Sequence, residues 1–424
     1  MLDRLATLQE KITIAIIGVG SAGKGLVHQC GITPGMECVA IADIDLPRAA
    51  DCAKFTGREF CVVDNEAALR DAIRRGKLAV AQSGELLATA DGVRVLIESS
   101  SAVVAGGRHA RLALEGGKHV VMMNAEADLV FGPVLLRTAQ AHGVVYTSCD
   151  GDQPAVISRL VAEIRLWGFD LVMAGNVKGF LDRYANPISI VPEAAKRGLD
   201  PKMCASYTDG TKLCIEMALV ANAFGCAPLV AGMRGPRAAH VRDVLRLFDL
   251  ETAWRDRRPI VDYVLGAEPR GGVFVVGHCD DAYQRSMLAW LPPQMGDGPF
   301  YVFYRPYHLV HVEALACVAE AALDGHARLQ PTCGMRTDVY AYAKRDLKGG
   351  DVLDGIGGHA CYGLIEHTGG DRGGVPICLC EGMKLRNDVG KDRRLSLSDV
   401  DAEASSLDPA TVLGLVASGF GAAS

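Results

Sequence analysis

Apolar positions in the first third of the chain come in short solid runs separated by polar, glycine-punctuated stretches. Ile12-Thr13-Ile14-Ala15-Ile16-Ile17 has the length and β-branched content of a buried parallel strand. Gly18-Val19-Gly20-Ser21-Ala22-Gly23 follows at once, residues 24–30 read as a helix, and a second run, Cys38-Val39-Ala40-Ile41-Ala42, ends on Asp43. The alternation continues with helices over 47–55 and 65–75 and a strand over 93–98. A helix over 107–115, a strand over 119–123 stopping at Asn124, a helix over 129–141 and a strand over 144–147 complete it. Strand and helix in turn predict an α/β domain over residues 1–150, a parallel sheet with helices on both faces.

Beyond residue 150 the pattern changes. Residues 152–168 read as a long helix and 171–179 as a strand with Asn176 and Lys178 on one face. Residues 207–224 read as a helix on which Asp209, Lys212 and Glu216, three and four apart, share a face. Strands over 273–276 and 300–304 follow. Arg305-Pro306-Tyr307-His308 then leads into a helix over 308–323. This predicts an α+β domain over 151–330, with the helix at 306–328 able to pack back on the first domain. From Pro331 short strands broken by glycine, at 339–351, 374–380 and 387–400, predict a small β-rich domain over 331–424 whose last residues, 418–424, fray.

The stretch from Ile12 to Asp43 carries the clearest chemistry. Strand, glycine turn, helix, strand and acid is the order of a dinucleotide-binding unit. Gly18 permits the tight turn, Gly20 lets backbone approach a pyrophosphate, and Gly23 lets helix and strand pack closely. Ser21 and Ala22 complete the turn as cofactor-binding candidates, and the pyrophosphate sits over the N-terminus of the helix that follows. Asp43, twenty residues past Gly23, suits the ribose hydroxyls of NAD; Arg48 suits the 2′-phosphate of NADP, and the residues leave the choice open. Ligand contacts in such sheets gather at the carboxyl ends of the strands. Ser99 and Asn124 stand there on the cofactor's side, and Glu126, Asp128, Asp150 and Asp152 bring four carboxylates.

Composition narrows the partners. A net charge of −6 with no basic block argues against nucleic acid, and no apolar run approaches a membrane span. Residues 1–10 lack the apolar core of a signal peptide, so a cytoplasmic protein is expected. Fourteen cysteines, none in a Cys-x-x-Cys, are expected to be reduced and mostly buried, with Cys378 and Cys380 on one face of a strand. His308 and His311 lie one helical turn apart without a third ligand spaced to join them.

The 18–25 turn, the 120–124 strand end and the 209–225 helix resemble homoserine dehydrogenases across about the first three-quarters of the chain. Residues 341–351 and 375–400 resemble a SAF domain. The runs Asn124-Ala125-Glu126-Ala127-Asp128, Gly175-Asn176-Val177-Lys178-Gly179, Thr208-Asp209-Gly210-Thr211-Lys212 and Tyr304-Arg305-Pro306-Tyr307-His308 resemble the deoxyxylulose-phosphate-reductoisomerase-like enzymes that join such a body to a SAF domain. Two features depart from homoserine dehydrogenases: Ala125 stands where they place a lysine, and Asp209 and Lys212 are three apart rather than four.

The resemblance implies a Rossmann-type sheet domain, an α+β substrate and dimerisation domain and a SAF domain in a homodimer or higher oligomer. It also implies an NAD(P)H-dependent reductoisomerase converting 1-deoxy-D-xylulose 5-phosphate to 2-C-methyl-D-erythritol 4-phosphate. That reaction uses Mg²⁺ or Mn²⁺ held by carboxylates, for which Glu126, Asp128, Asp150 and Asp152 are the candidates. Lys178, Lys212, Glu126 and Asp209 are the candidate catalytic groups. Asp150, Asp152, Arg305 and His308 are the candidate contacts to a small, phosphorylated substrate. A metal-independent dehydrogenase of a hydroxy acid or sugar acid and a non-catalytic NAD(P)-binding regulator are the alternatives.

Overall fold

A computed structural model describes residues 1–290, 295–369 and 373–401. The chain divides into two units, Met1–Ala155 with Leu309–Gln330, and Val156–His308 with the chain from Pro331 onward. The expected fraying at 418–424 lies outside the described residues.

The first unit is built on seven strands: β1 (Ile12–Ile17), β2 (Met36–Ala42), β3 (Phe60–Val62), β4 (Leu78–Ala81), β5 (Val95–Glu98), β6 (His119–Met122) and β7 (Tyr146–Ser148). They lie in the order β3-β4-β2-β1-β5-β6-β7, and every pairing is parallel, as an α/β sheet requires. β3 and β4 are too short to stand out from the polar sequence around them. The central strands are buried on both faces, which is why they read as solid apolar runs. The Leu315–Asp324 helix belongs to this unit: Leu315, Val318 and Ala322 join Ile14, Ile16 and Ile97 in one core. Ser148 N–H donates to the Leu329 carbonyl at 3.0 Å, closing the return of the chain. The continuous helix expected over 308–323 is instead two, Val310–Glu313 and Leu315–Asp324.

One boundary moves chemistry. The helix after β6 spans Ala125–Ala141, four residues earlier than the apolar pattern suggests, because Asn124 caps it by accepting the Ala127 N–H at 3.0 Å. Glu126 and Asp128 therefore stand on a first helical turn, not in a loop.

The second unit holds a five-stranded mixed sheet of β8 (Asp170–Lys178), β9 (Ala227–Pro228), β10 (Ile260–Leu265), β11 (Val273–His278) and β12 (Phe300–Arg305). Its order is β12-β11-β8-β10-β9, with β11 antiparallel to both neighbours. One face packs Met173, Val177, Val264, Phe274, Val276 and Val302 against Val241, Val244 and Trp254. The Thr211–Phe224 helix packs on β8 and β10 and also against the hairpin of β13 (Thr337–Ala343) and β14 (Cys361–His367). Covered on several sides, it is buried along most of its length.

The single helix expected over 207–224 does not form. Pro201–Thr208 and Thr211–Phe224 are separate helices, broken at Gly210, whose φ of +86° is left-handed. The strand expected over 374–380 is likewise absent, since Ile377–Leu379 is a 3₁₀ turn after Pro376. All the cysteines except Cys61 and Cys333 are buried. Among the described residues no helix is long and apolar enough to cross a membrane.

Candidate functional site

In the first unit the glycine turn has the geometry its sequence asks for. Gly18 sits at φ +85°, and a Cβ there would lie 2.5 Å from the Ser100 nitrogen. A Cβ on Gly23 would meet the Gly18 carbonyl oxygen at 1.9 Å, so both positions are closed to side chains. Gly20 is different: nothing lies within 4 Å of its Cβ position. It is also the N-cap of the Ser21–Ile32 helix with no side chain satisfying the first-turn N–H groups around Ser21, Ala22 and Gly23. Open space before uncapped donors at a helix N-terminus is what a pyrophosphate needs, so these residues fit a dinucleotide.

The flanking residues hold that turn in shape. Ser99 Oγ donates to the Gly18 carbonyl at 2.6 Å. The Asp43 carboxylate, only 6% exposed, accepts the Val19 and Asp45 N–H groups, each at 3.0 Å. Arg48 reaches Asp43 at 3.4 Å and Asp45 at 3.2 Å. The two side chains that would tell NAD from NADP are thus engaged with each other. Asn124, assigned to the cofactor from sequence, uses its oxygen to cap a helix and its nitrogen to hold the Ala102 carbonyl at 3.1 Å.

The four acids do not form the metal shell expected of them. Asp128 is buried with its two oxygens taken by the hydroxyls of Tyr146 and Ser148, and burial pushes its carboxyl up to about 6. Each oxygen of this metal candidate thus accepts a hydroxyl, on a side chain 1% exposed. Asp150 is also buried, accepting the Gly151 N–H at 2.8 Å and facing Arg328 Nε at 3.4 Å, while Arg328 also pairs with Glu320. Asp152 accepts the Gln153 N–H at 2.9 Å as the next helix begins, and Glu126 is half-buried. Among the described residues no three His, Cys, Asp or Glu side chains gather as a metal site. Arg328 was invisible from sequence because its partner Asp150 is far away along the chain.

In the second unit Asp209 is displaced from its expected role. Its carboxylate lies 2.8 Å from Lys344 Nζ, both side chains buried, and Lys344 also donates to the Ala185 and Gly358 carbonyls at 2.6 and 2.8 Å. Burial raises the Asp209 carboxyl, and the Lys344 ammonium opposes that rise. With the helix broken at Gly210, Asp209 shares no helical face with Lys212. Asp209, a catalytic candidate by sequence, is held here in a buried ion pair with Lys344.

Lys178 and Glu216 do meet. Nζ and the carboxylate are 4.0 Å apart, with the lysine side chain 16% exposed and the glutamate 3%. Lys212, one helical turn before Glu216, is half-buried. Asn176 projects from the same face of β8 as Lys178, two residues earlier, and is 1% exposed. Arg305 ends β12 with its guanidinium 4.4 Å from the centre of the Tyr307 ring, and His308 is half-buried.

Residues 151–314 match the family model described as the catalytic domain of the oxidoreductase DRL. Over 217 residues the chain is 26% identical to a 1-deoxy-D-xylulose 5-phosphate reductoisomerase of Thermus thermophilus, covering 50% of this chain and 55% of that protein. The chain thus spans about half the length of the curated relative it matches. Among solved structures, a DOX-P reductoisomerase with magnesium is 16% identical with a TM-score of 0.38, covering 74% of this chain and 78% of its own. A putative myo-inositol dehydrogenase of Sinorhizobium meliloti 1021 is 10% identical with a TM-score of 0.42, covering 76% and 93%. Residues 151–314 thus resemble an oxidoreductase catalytic domain, and the glycine turn of the first unit has the geometry of a dinucleotide site.

Proposed function

We propose that the protein is an NAD(P)H-dependent reductoisomerase acting on 1-deoxy-D-xylulose 5-phosphate, with 2-C-methyl-D-erythritol 4-phosphate as product. The observation that carries this reading is the Lys178–Glu216 pair inside residues 151–314, with Lys212 one turn away. The identity shared with the Thermus thermophilus reductoisomerase supports it. A bound reduced nicotinamide supplies hydride. Lys178 and Lys212 stabilise negative charge on the substrate oxygen and return a proton to it, and Glu216 keeps the Lys178 ammonium in place. Arg305 and His308 are assigned to the phosphate. The SAF-like reading of the chain from Pro331, the homoserine-dehydrogenase-like body and a dimer belong to the same proposal.

Absorbance at 340 nm with NADPH, 1-deoxy-D-xylulose 5-phosphate and Mn²⁺ tests it. Oxidation that depends on 1-deoxy-D-xylulose 5-phosphate is the expected result, and no oxidation with either cofactor overturns it. The commitment of Asp128 to Tyr146 and Ser148 favours a second reading, a metal-independent dehydrogenase of a hydroxy acid or sugar acid. That reading expects turnover of such acids unaffected by a chelator.

A further inference from the structure

Asn176 is a buried amide whose oxygen and nitrogen have no hydrogen-bond partner among the described residues. Leaving such a group unsatisfied costs on the order of 1–3 kcal/mol, so it calls for an explanation beyond packing. Its neighbour on the same face of β8, Lys178, hydrogen-bonds no group among the described residues, and its nearest carboxylate, Glu216, lies at 4.0 Å, outside hydrogen-bond range. Asn176 and Lys178 therefore set donors and an acceptor side by side on one face of β8.

The sheet register places one more group on this face. Asn176 of β8 stands opposite Val273 of β11, and Val273 stands opposite Arg305 of β12. Residues directly opposite in antiparallel strands project to the same side, so Asn176, Val273 and Arg305 form one rung. Two interstrand steps of about 4.8 Å put the β12 position roughly 10 Å from Asn176. One end of the rung carries the uncharged amide, with Lys178 and Glu216 beside it. The other end carries a guanidinium.

Resting on the reading of this unit as the substrate-binding half, we propose that the rung is a two-ended substrate cradle. Asn176 and Lys178 take hydroxyl or carbonyl oxygens of an uncharged polyhydroxy or hydroxyketone segment, and Arg305 takes the anion at the other end. Lys178 thereby serves the carbon skeleton of the substrate, not its phosphate. The cradle selects a short hydroxyketone phosphate.

Calorimetry on the NADPH-bound enzyme tests the assignment with two probes, 1-deoxy-D-xylulose and 1-deoxy-D-xylulose 5-phosphate. Asn176→Leu is expected to weaken both at least tenfold while its melting temperature stays level or rises, because an unsatisfied amide has been removed. Arg305→Gln is expected to weaken only the phosphorylated probe. Asn176→Ser, smaller and still polar, gives the same comparison if the leucine variant folds poorly. Unchanged affinity for both probes in the Asn176 variants overturns the cradle, as does a wild-type enzyme that binds neither probe. Wild-type binding lost in Asn176→Leu without NADPH oxidation keeps the cradle and removes the reductoisomerase reaction. Turnover that survives Asn176→Leu unchanged removes the cradle and keeps the reaction.

Discussion

Asp338 sits near the start of β13, fully enclosed, with the Val339 N–H at 2.7 Å as its hydrogen-bond donor. Burial pushes its carboxyl up to about 7, against an unfolded value of about 3.9. Between those values the folded chain holds a proton the unfolded chain has released. This group's contribution to stability is complete below the lower value and is lost as pH rises through the upper one. Asp338→Asn is therefore expected to gain melting temperature relative to the parent from pH 5 to pH 8, and a constant difference across that range would show that Asp338 does not titrate there. The glycine turn gives a second contrast at this scale. Gly20→Ala meets no neighbour and should fold with unchanged melting temperature while weakening NADPH binding at least tenfold in a fluorescence titration. Gly18→Ala strains a left-handed backbone against Ser100 and should lose stability as well as cofactor.

Between elements, the Lys344–Asp209 pair ties the break before the Thr211–Phe224 helix to β13 and its following turn. Removing one partner leaves a buried charge alone, so Lys344→Met should cost about 3–5 kcal/mol in urea unfolding. Lys344→Met with Asp209→Leu should recover much of that loss, because no charge is then left stranded. A double variant no more stable than the single one would show that the Lys344 bonds to Ala185 and Gly358 carry the junction instead. This pair also explains why the sequence misled at this point. Asp209, Lys212 and Glu216 have helical spacing, but Gly210 takes a left-handed conformation and Thr211 donates its N–H to Asp209 at 2.8 Å, which resets the helix start. Spacing identified Lys212 and Glu216 as neighbours and could not reveal that Asp209 faces a lysine in another segment.

For the whole molecule, the proposed reductoisomerase reading sets the expected kinetics. Lys178→Ala should lower kcat/KM for 1-deoxy-D-xylulose 5-phosphate at least tenfold and leave the dissociation constant for NADPH unchanged, since the dinucleotide turn belongs to the other unit. A matching loss of NADPH affinity would mean that Lys178 supports the fold as a whole. The return of residues 309–330 to the first unit makes its core discontinuous in sequence, with Val318 beside Ile16. Deleting that segment is expected to destabilise the dinucleotide-binding unit itself.

Local sequence sufficed wherever the physics is local. The run from Ile12 to Ile17 is apolar throughout because both faces of β1 are buried, and the glycines that follow are dictated by the backbone's close approach to Ser100 and to itself. Those features make the first strand and its cofactor turn legible from the local sequence. Tertiary structure alone decided what the charged residues do: it gave Asp128 to Tyr146 and Ser148, Asp150 to Arg328, and Asp209 to Lys344. It also left Asn176 without a partner among the described residues, beside Lys178. A buried charge or amide is defined by the group that meets it, and that group arrives from a remote part of the chain only when the sheet registers close.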